Sequence, residues 1–129
     1  MDNFKVMIVD DEVDFLETII KRLKARKIEV TGGESGYKAL ELLAGQDYDV
    51  IVLDVKMPGM DGIETLREIK KRKPLTEVIM LTGHASVESG IQGMQLGAFD
   101  YVMKPVALDE LLEKMRQAYE RKLIQEGKA

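Results

Sequence analysis

VMIVDDE, residues 6–12, runs four apolar residues straight into three carboxylates. Like charges this close repel each other, so ending an apolar run on Asp10, Asp11 and Glu12 calls for a reason. The same ending recurs in DVIVLDVKMPGMDG, residues 49–62, where an apolar run stops at Asp54. Five such runs, rich in β-branched residues, read as short buried strands: FKVMIV (4–9), IEVT (28–31), DVIVL (49–53), EVIML (77–81) and FDYVM (99–103).

Helical spacing fills the gaps between them. Phe15, Leu16, Ile19, Ile20 and Leu23 form one stripe, and Ala39, Leu40, Leu42 and Leu43 a second. Ile63, Leu66 and Ile69 form a third, Val87, Ile91 and Met94 a weaker fourth. Leu108, Leu111, Leu112, Met115 and Tyr119 form the last. Asp14 with Glu17, and Asp61 with Glu64, are D-x-x-E pairs of the kind that cap helix starts. Gly45 and Gly97 stand where helices stop, and Pro74 ends the third. Ala107 gives the last helix no oxygen cap, but Asp109 and Glu110 favour its positive end. Strands alternating with helices predict an α/β fold with a parallel sheet covered on both faces. Ligands of such sheets bind beyond the carboxyl ends of the strands. Asp10 and Asp11, Asp54, Thr82 and Lys104 all follow or end predicted strands.

Bulk properties narrow the chemistry. The 129 residues suit one domain, 45% are hydrophobic and 33% charged, and the net charge is −4. This balance gives no reason to expect nucleic-acid binding. The absence of cysteine excludes disulfides, thiolate metal sites and cysteine nucleophiles. No apolar run approaches the ~18 residues of a membrane span, and MDNFKV carries no signal-peptide pattern. A cytoplasmic location is the expectation. The first strand–helix turn, VDDEVD, lacks the glycines of a dinucleotide-binding turn, and its carboxylates would repel a pyrophosphate. DVKMPGMDGIET lacks the regular oxygens and final Glu of a calcium loop. Carboxylates beside a lysine suit Mg²⁺, which takes oxygen ligands and retains water. Asp10, Asp11 and Asp54 are candidate Mg²⁺ ligands, with Lys104 facing a transferred phosphoryl group and Asp54 as a carboxylate nucleophile.

Asp10-Asp11, DVKMPGMDG, LTG with Thr82, and GAFDYVMKP with Tyr101, Lys104 and Pro105 occur in this order. The chain resembles a response-regulator receiver domain over about residues 3–124. The resemblance implies a single receiver domain over 1–129, with a flavodoxin-like, doubly wound sheet of order 2-1-3-4-5. It implies that Asp54 accepts a phosphoryl group from a phosphohistidine on a histidine kinase or phosphotransfer protein. Asp11, Asp54 and the backbone carbonyl of Lys56 would bind Mg²⁺, with Asp10 acting through metal-bound water. Lys104 would pair with Asp54 and then with the phosphoryl oxygens, Thr82 would hydrogen-bond the phosphoryl group, and Tyr101 would rotate inward. Lys104-Pro105 matches a cis peptide position. Such a domain catalyses its own phosphorylation and dephosphorylation rather than acting on a separate substrate pool. The output would pass to a downstream protein or to an effector domain, for which no room follows Lys122. A free-standing receiver and one cut from a longer regulator both fit, and a phosphorylation-dependent dimer stays open.

Two rival readings carry less. A phosphate-independent interaction module would not need the full acid set with Thr82 and Lys104. An aspartate-nucleophile phosphohydrolase would need D-x-D-x-T, whereas Val55-Lys56-Met57 follows Asp54. Lys56 and His84 stand two residues past Asp54 and Thr82, as candidates for tuning acyl-phosphate hydrolysis. KKRK (70–73) and the cluster Lys21, Arg22, Lys24, Arg26 and Lys27 read as solvated helix ends. Met94 and Met115 read as gap-filling core. Gly90 and Gly93 each weaken the fourth helix by about 1 kcal/mol. They suggest an element that shifts on phosphorylation, with the output surface on the fourth helix, fifth strand and fifth helix.

Overall fold

The computed structural model describes residues 3–83 and 87–128. The elements run β1 (Lys5–Val9), α1 (Val13–Ala25), β2 (Glu29–Gly33), α2 (Gly36–Gly45), β3 (Val50–Asp54), α3 (Gly62–Arg72), β4 (Glu77–Thr82), α4 (Val87–Gln95), β5 (Asp100–Met103) and α5 (Leu108–Gln125). All strand pairs are parallel, in the order β2-β1-β3-β4-β5. No described helix is long and apolar enough to cross a membrane.

Period-two alternation sorts each strand onto two faces. Val6, Ile8, Val50, Val52, Ile79 and Leu81 pack with Leu16, Ile19 and Leu23 of α1 and Leu111, Leu112 and Met115 of α5. Met7, Val9, Ile51, Leu53, Val78 and Met80 face Ala39, Leu40 and Leu43 of α2 and Leu66 and Ile69 of α3. Each fully buried aliphatic side chain contributes about 1.5–3 kcal/mol, so two covered faces hold the sheet.

The helix termini follow local chemistry. Asp61 caps α3 by accepting the Glu64 N–H at 2.9 Å, as its D-x-x-E pair predicts. Ser35 caps α2 through the Lys38 N–H at 3.0 Å, a cap the apolar stripe alone does not reveal. Asp14 departs from expectation. Val13 is already helical, so Asp14 lies inside the first turn and Glu12 holds the cap position. The Glu12 backbone oxygen accepts the Leu16 N–H at 2.9 Å, but its side chain makes no cap bond.

Two further expectations need correction. Ile91 and Met94 are 47% and 39% exposed, so these two residues of the fourth apolar stripe face outward and Met94 fills no gap. Gly90 and Gly93 take the inward face instead. A Cβ on Gly93 would lie 3.0 Å from Met80 Cγ, so close packing against β4 accounts for that glycine. Lys70 is not a solvated helix end. It donates to the Thr76 carbonyl at 2.8 Å and lies 3.5 Å from the fully buried Glu77 carboxylate. Arg121 Nε of α5 approaches the other Glu77 oxygen at 2.5 Å. Strand β4 therefore begins on an ion triad, centred on the buried Glu77, that joins helices of both sheet faces.

Candidate functional site

Register brings the chemistry-bearing residues to one end of the sheet. Val9 of β1 pairs with Leu53 of β3, so Asp10 falls level with Asp54. Asp54 pairs with Leu81 of β4, which puts Thr82 one step beyond, and Thr82 pairs with Met103, just before Lys104. The Lys104 N–H donates to the Thr82 carbonyl at 2.7 Å, fixing the start of the β5–α5 connection. The Lys104-Pro105 peptide is cis, as the family resemblance implies. The loop after β3 folds back tightly, and the Gly62 N–H donates to the Val55 carbonyl at 2.8 Å. A Cβ on Gly62 would come within 2.3 Å of the Asp54 carbonyl oxygen, so only glycine allows this return.

Carboxylate oxygens of Asp10, Glu12 and Asp54 lie within 4.8 Å of one another. Asp10 is 0% exposed. Its Oδ1 accepts the Glu12 N–H at 2.8 Å. Its Oδ2 lies 2.7 Å from Lys104 Nζ but off the direction a hydrogen bond needs. Lys104 Nζ donates to Glu12 Oε1 at 2.7 Å and stands 3.8 Å from Asp54 Oδ1. The expected Lys104–Asp54 pair is thus the longest of three contacts, and Glu12, given no role in the sequence, takes a short one. Its place in the acidic run was visible, but no local pattern announces a partner 92 residues away.

Burial pushes the Asp54 carboxyl up to about 7, with the nearby Asp10 charge adding to it and Lys104 opposing. Asp11 adds further through its charge and a hydrogen bond to Asp54, although its own side chain is exposed. Burial also raises Asp10, against the stabilising Lys104 ammonium and the Glu12 N–H. Such crowding leaves a negative pocket with room for a cation's charge. The donor set is all oxygen, which matches a hard divalent ion. Asp10 Oδ2, buried and ion-paired with Lys104 but without an aligned hydrogen bond among the described residues, is a further oxygen at this pocket.

Thr82 is 0% exposed, and its Oγ1 has no hydrogen-bond partner among the described residues. A buried hydroxyl without a partner is uncommon and costs stability. Tyr101 is half-buried and packs against the cluster under α2 and α3. Lys56 is exposed directly beyond β3, and His84 lies outside the described residues. A groove of about 580 Å³ opens beside Lys104, lined by Phe15, Ile19, Arg22, Pro105 and Val106 among others. A slightly larger cavity, of about 610 Å³, sits at the other end of the strands around Lys5, Asp49 and Lys122 and contains none of these residues.

Comparisons with known proteins agree with this arrangement. The family described as response regulator receiver domain matches residues 6–116. The DNA-binding transcriptional regulator NtrC of Escherichia coli strain K12 is 36% identical over 113 residues, covering 88% of this chain and 24% of that protein. The transcriptional regulatory protein ZraR of the same strain is 35% identical over 117 residues, covering 91% of this chain and 26% of that protein. The chain thus spans about a quarter of the length of these curated relatives. Among solved structures, a response regulator receiver domain protein from Clostridium thermocellum superposes with a TM-score of 0.90 at 35% identity, covering 95% of this chain and 98% of that one. A Francisella response regulator receiver domain gives 0.83 at 36% identity, covering 92% and 98%. With the strand order, the strand-end carboxylates and the lysine–proline turn all in register, the chain belongs to the response regulator receiver domain family of two-component signalling.

Proposed function

We propose that residues 1–129 act as one receiver unit in which Asp54 takes a phosphoryl group from a phosphohistidine. The observation that carries this reading is the buried Thr82 hydroxyl, without a hydrogen-bond partner among the described residues and one step past the strand position opposite Asp54. A phosphoryl oxygen arriving on Asp54 would give that hydroxyl an acceptor. Lys104, within 3.8 Å of Asp54, would supply the positive charge on the other side.

Asp11, Asp54 and the Lys56 carbonyl would hold Mg²⁺, with Asp10 reaching it through water. When bound, the ion neutralises the pocket and the charge that gathers on the transferring group. The residues themselves do the rest. Asp54, whose carboxyl burial raises to about 7, must be ionised to attack. One of its oxygens forms a bond to phosphorus as the phosphorus–nitrogen bond of the donor breaks. The bonding pair stays on the imidazole nitrogen, which takes up a proton. Lys104 and Thr82 then hold oxygens of the acyl phosphate. Tyr101 and Thr82 relay the change by shifting a two-state population. The donor is a histidine kinase or a phosphotransfer protein, and the groove beside Lys104 offers it a place to approach. The output is a protein target or an effector domain. Lys56 and His84 are candidates for setting the lifetime of the acyl phosphate.

The test is intact mass after incubation with Mg²⁺ and acetyl phosphate. One phosphoryl mass should appear, and Asp54→Asn should abolish it. No gain from acetyl phosphate or phosphoramidate would defeat the reading.

A further inference from the structure

We infer that Glu12 is a positioning residue that holds Lys104 back from Asp54 until a phosphoryl group draws the ammonium across. This rests on Asp54 being the acceptor. Lys104 Nζ donates to Glu12 Oε1 at 2.7 Å but stands 3.8 Å from Asp54 Oδ1, beyond hydrogen-bonding reach. The ammonium also lies 4.7 Å from the centre of the Phe15 ring, a cation–π distance. The opening of α1 therefore meets the ammonium twice, with a carboxylate and with a ring face.

Glu12 carries no capping duty, and its carboxylate lies within 4.8 Å of those of Asp10 and Asp54. It occupies the cap position of α1 without a side-chain cap bond, and its side chain is 65% exposed. A bound cation would draw on Asp11 and Asp54, with Asp10 reaching it through water. Glu12 would then remain as the rival acceptor for the lysine. An exposed carboxylate holds an ammonium weakly. Together with Asp10 Oδ2, also 2.7 Å from Nζ, that hold sets the resting position, and the exposed Glu12 share of it yields to a doubly charged phosphoryl group, which makes stronger charge-assisted bonds.

The consequence is kinetic. The Lys104–Glu12 contact must break before Lys104 can stabilise the transferring group, so it adds to the barrier. Glu12→Gln keeps the shape and removes the charge. At saturating Mg²⁺ the maximal rate of phosphorylation by acetyl phosphate should rise about threefold, the change expected from releasing one exposed ion pair. The donor concentration at half-maximal rate and the Mg²⁺ requirement should stay unchanged. The ¹H–¹⁵N signal of the Lys104 ammonium should shift or broaden in the same variant without any donor. A rate equal to or below that of the wild type would overturn the latch, and so would a raised Mg²⁺ requirement, which would make Glu12 a metal ligand. An unmoved Lys104 signal would overturn it independently of phosphorylation. Failure of the wild type to gain any phosphoryl mass would instead remove the acceptor reading on which the latch stands.

Discussion

Gly90 of α4 faces Thr82 of β4 so closely that a Cβ at position 90 would lie 2.8 Å from the Thr82 methyl carbon. The same Cβ would be 3.5 Å from Tyr101 Cγ. Thr82, the aromatic ring of β5 and the fourth helix therefore form one packed unit, without a spare methyl's width between them. Any turn of Thr82 toward a ligand on Asp54 changes what α4 rests on.

Gly90→Ala tests that contact. In an open helix the change would stabilise by about 1 kcal/mol. Here the added methyl overlaps a buried side chain, and overpacking costs about 1–3 kcal/mol. The net expectation is a lower urea midpoint, together with a lower yield of phosphorylated protein as Thr82 is displaced. A raised midpoint with normal yield would mean that Thr82 swings aside freely.

Much of this was legible in the residues, for identifiable reasons. Every strand came within two residues of its observed limits, because buried parallel strands are unbroken apolar runs bounded by Asp, Gly or Pro. Asp61 was legible as a cap because cap chemistry is local. The face of α4 was not. Periodicity gives the spacing of Ile91 and Met94 but not which side meets the sheet, and two glycines permit a closer approach than any larger residue. The glycine pair three residues apart was the available signal. Glu12 and the buried Glu77 escaped because their partners, Lys104, Lys70 and Arg121, are brought to them by the fold rather than by spacing.

Acidity gives a second prediction. The Asp54 carboxyl ordinarily titrates at 3.8 but stands near 7 in the folded chain. Between those values the folded state binds more protons than the unfolded state, so metal-free stability falls as pH rises from about 4 to about 7 and then levels. The gap is worth at most about 4 kcal/mol. Asp54→Asn removes it, so the variant should gain more over the wild type at pH 8 than at pH 4. Parallel urea curves at the two pH values check this, and an equal difference at both would place Asp54 in an ordinary environment.

Cation binding gives a third. Asp10 and Asp11 both raise the Asp54 carboxyl through their charge, so relief of that repulsion should stabilise the fold. Millimolar Mg²⁺ should raise the melting temperature, and a concentration a hundred times its dissociation constant adds about 2.7 kcal/mol. Asp11→Asn should melt higher than the wild type without metal and respond less to Mg²⁺. Identical melting curves for both proteins, with and without Mg²⁺, would contradict a crowded acidic pocket.

The ion triad at the opposite end of β4 gives the last. Glu77 is fully buried between Lys70 of α3 and Arg121 of α5, at 3.5 and 2.5 Å. Arg121 also covers the Phe99 ring, with its guanidinium carbon 5.3 Å from the ring centre. Breaking a fully buried pair costs about 3–5 kcal/mol, because the remaining charge stays desolvated. Arg121 is half open to solvent and Lys70 remains, so Arg121→Ala should cost less, about 2 kcal/mol, by urea unfolding. Glu77→Gln removes the buried charge itself and should largely restore stability in the Arg121→Ala background. The rescue is the deciding measurement: a double variant as weak as Arg121→Ala alone would assign the loss to the Phe99 contact, because only an uncompensated carboxylate can be relieved by neutralising it.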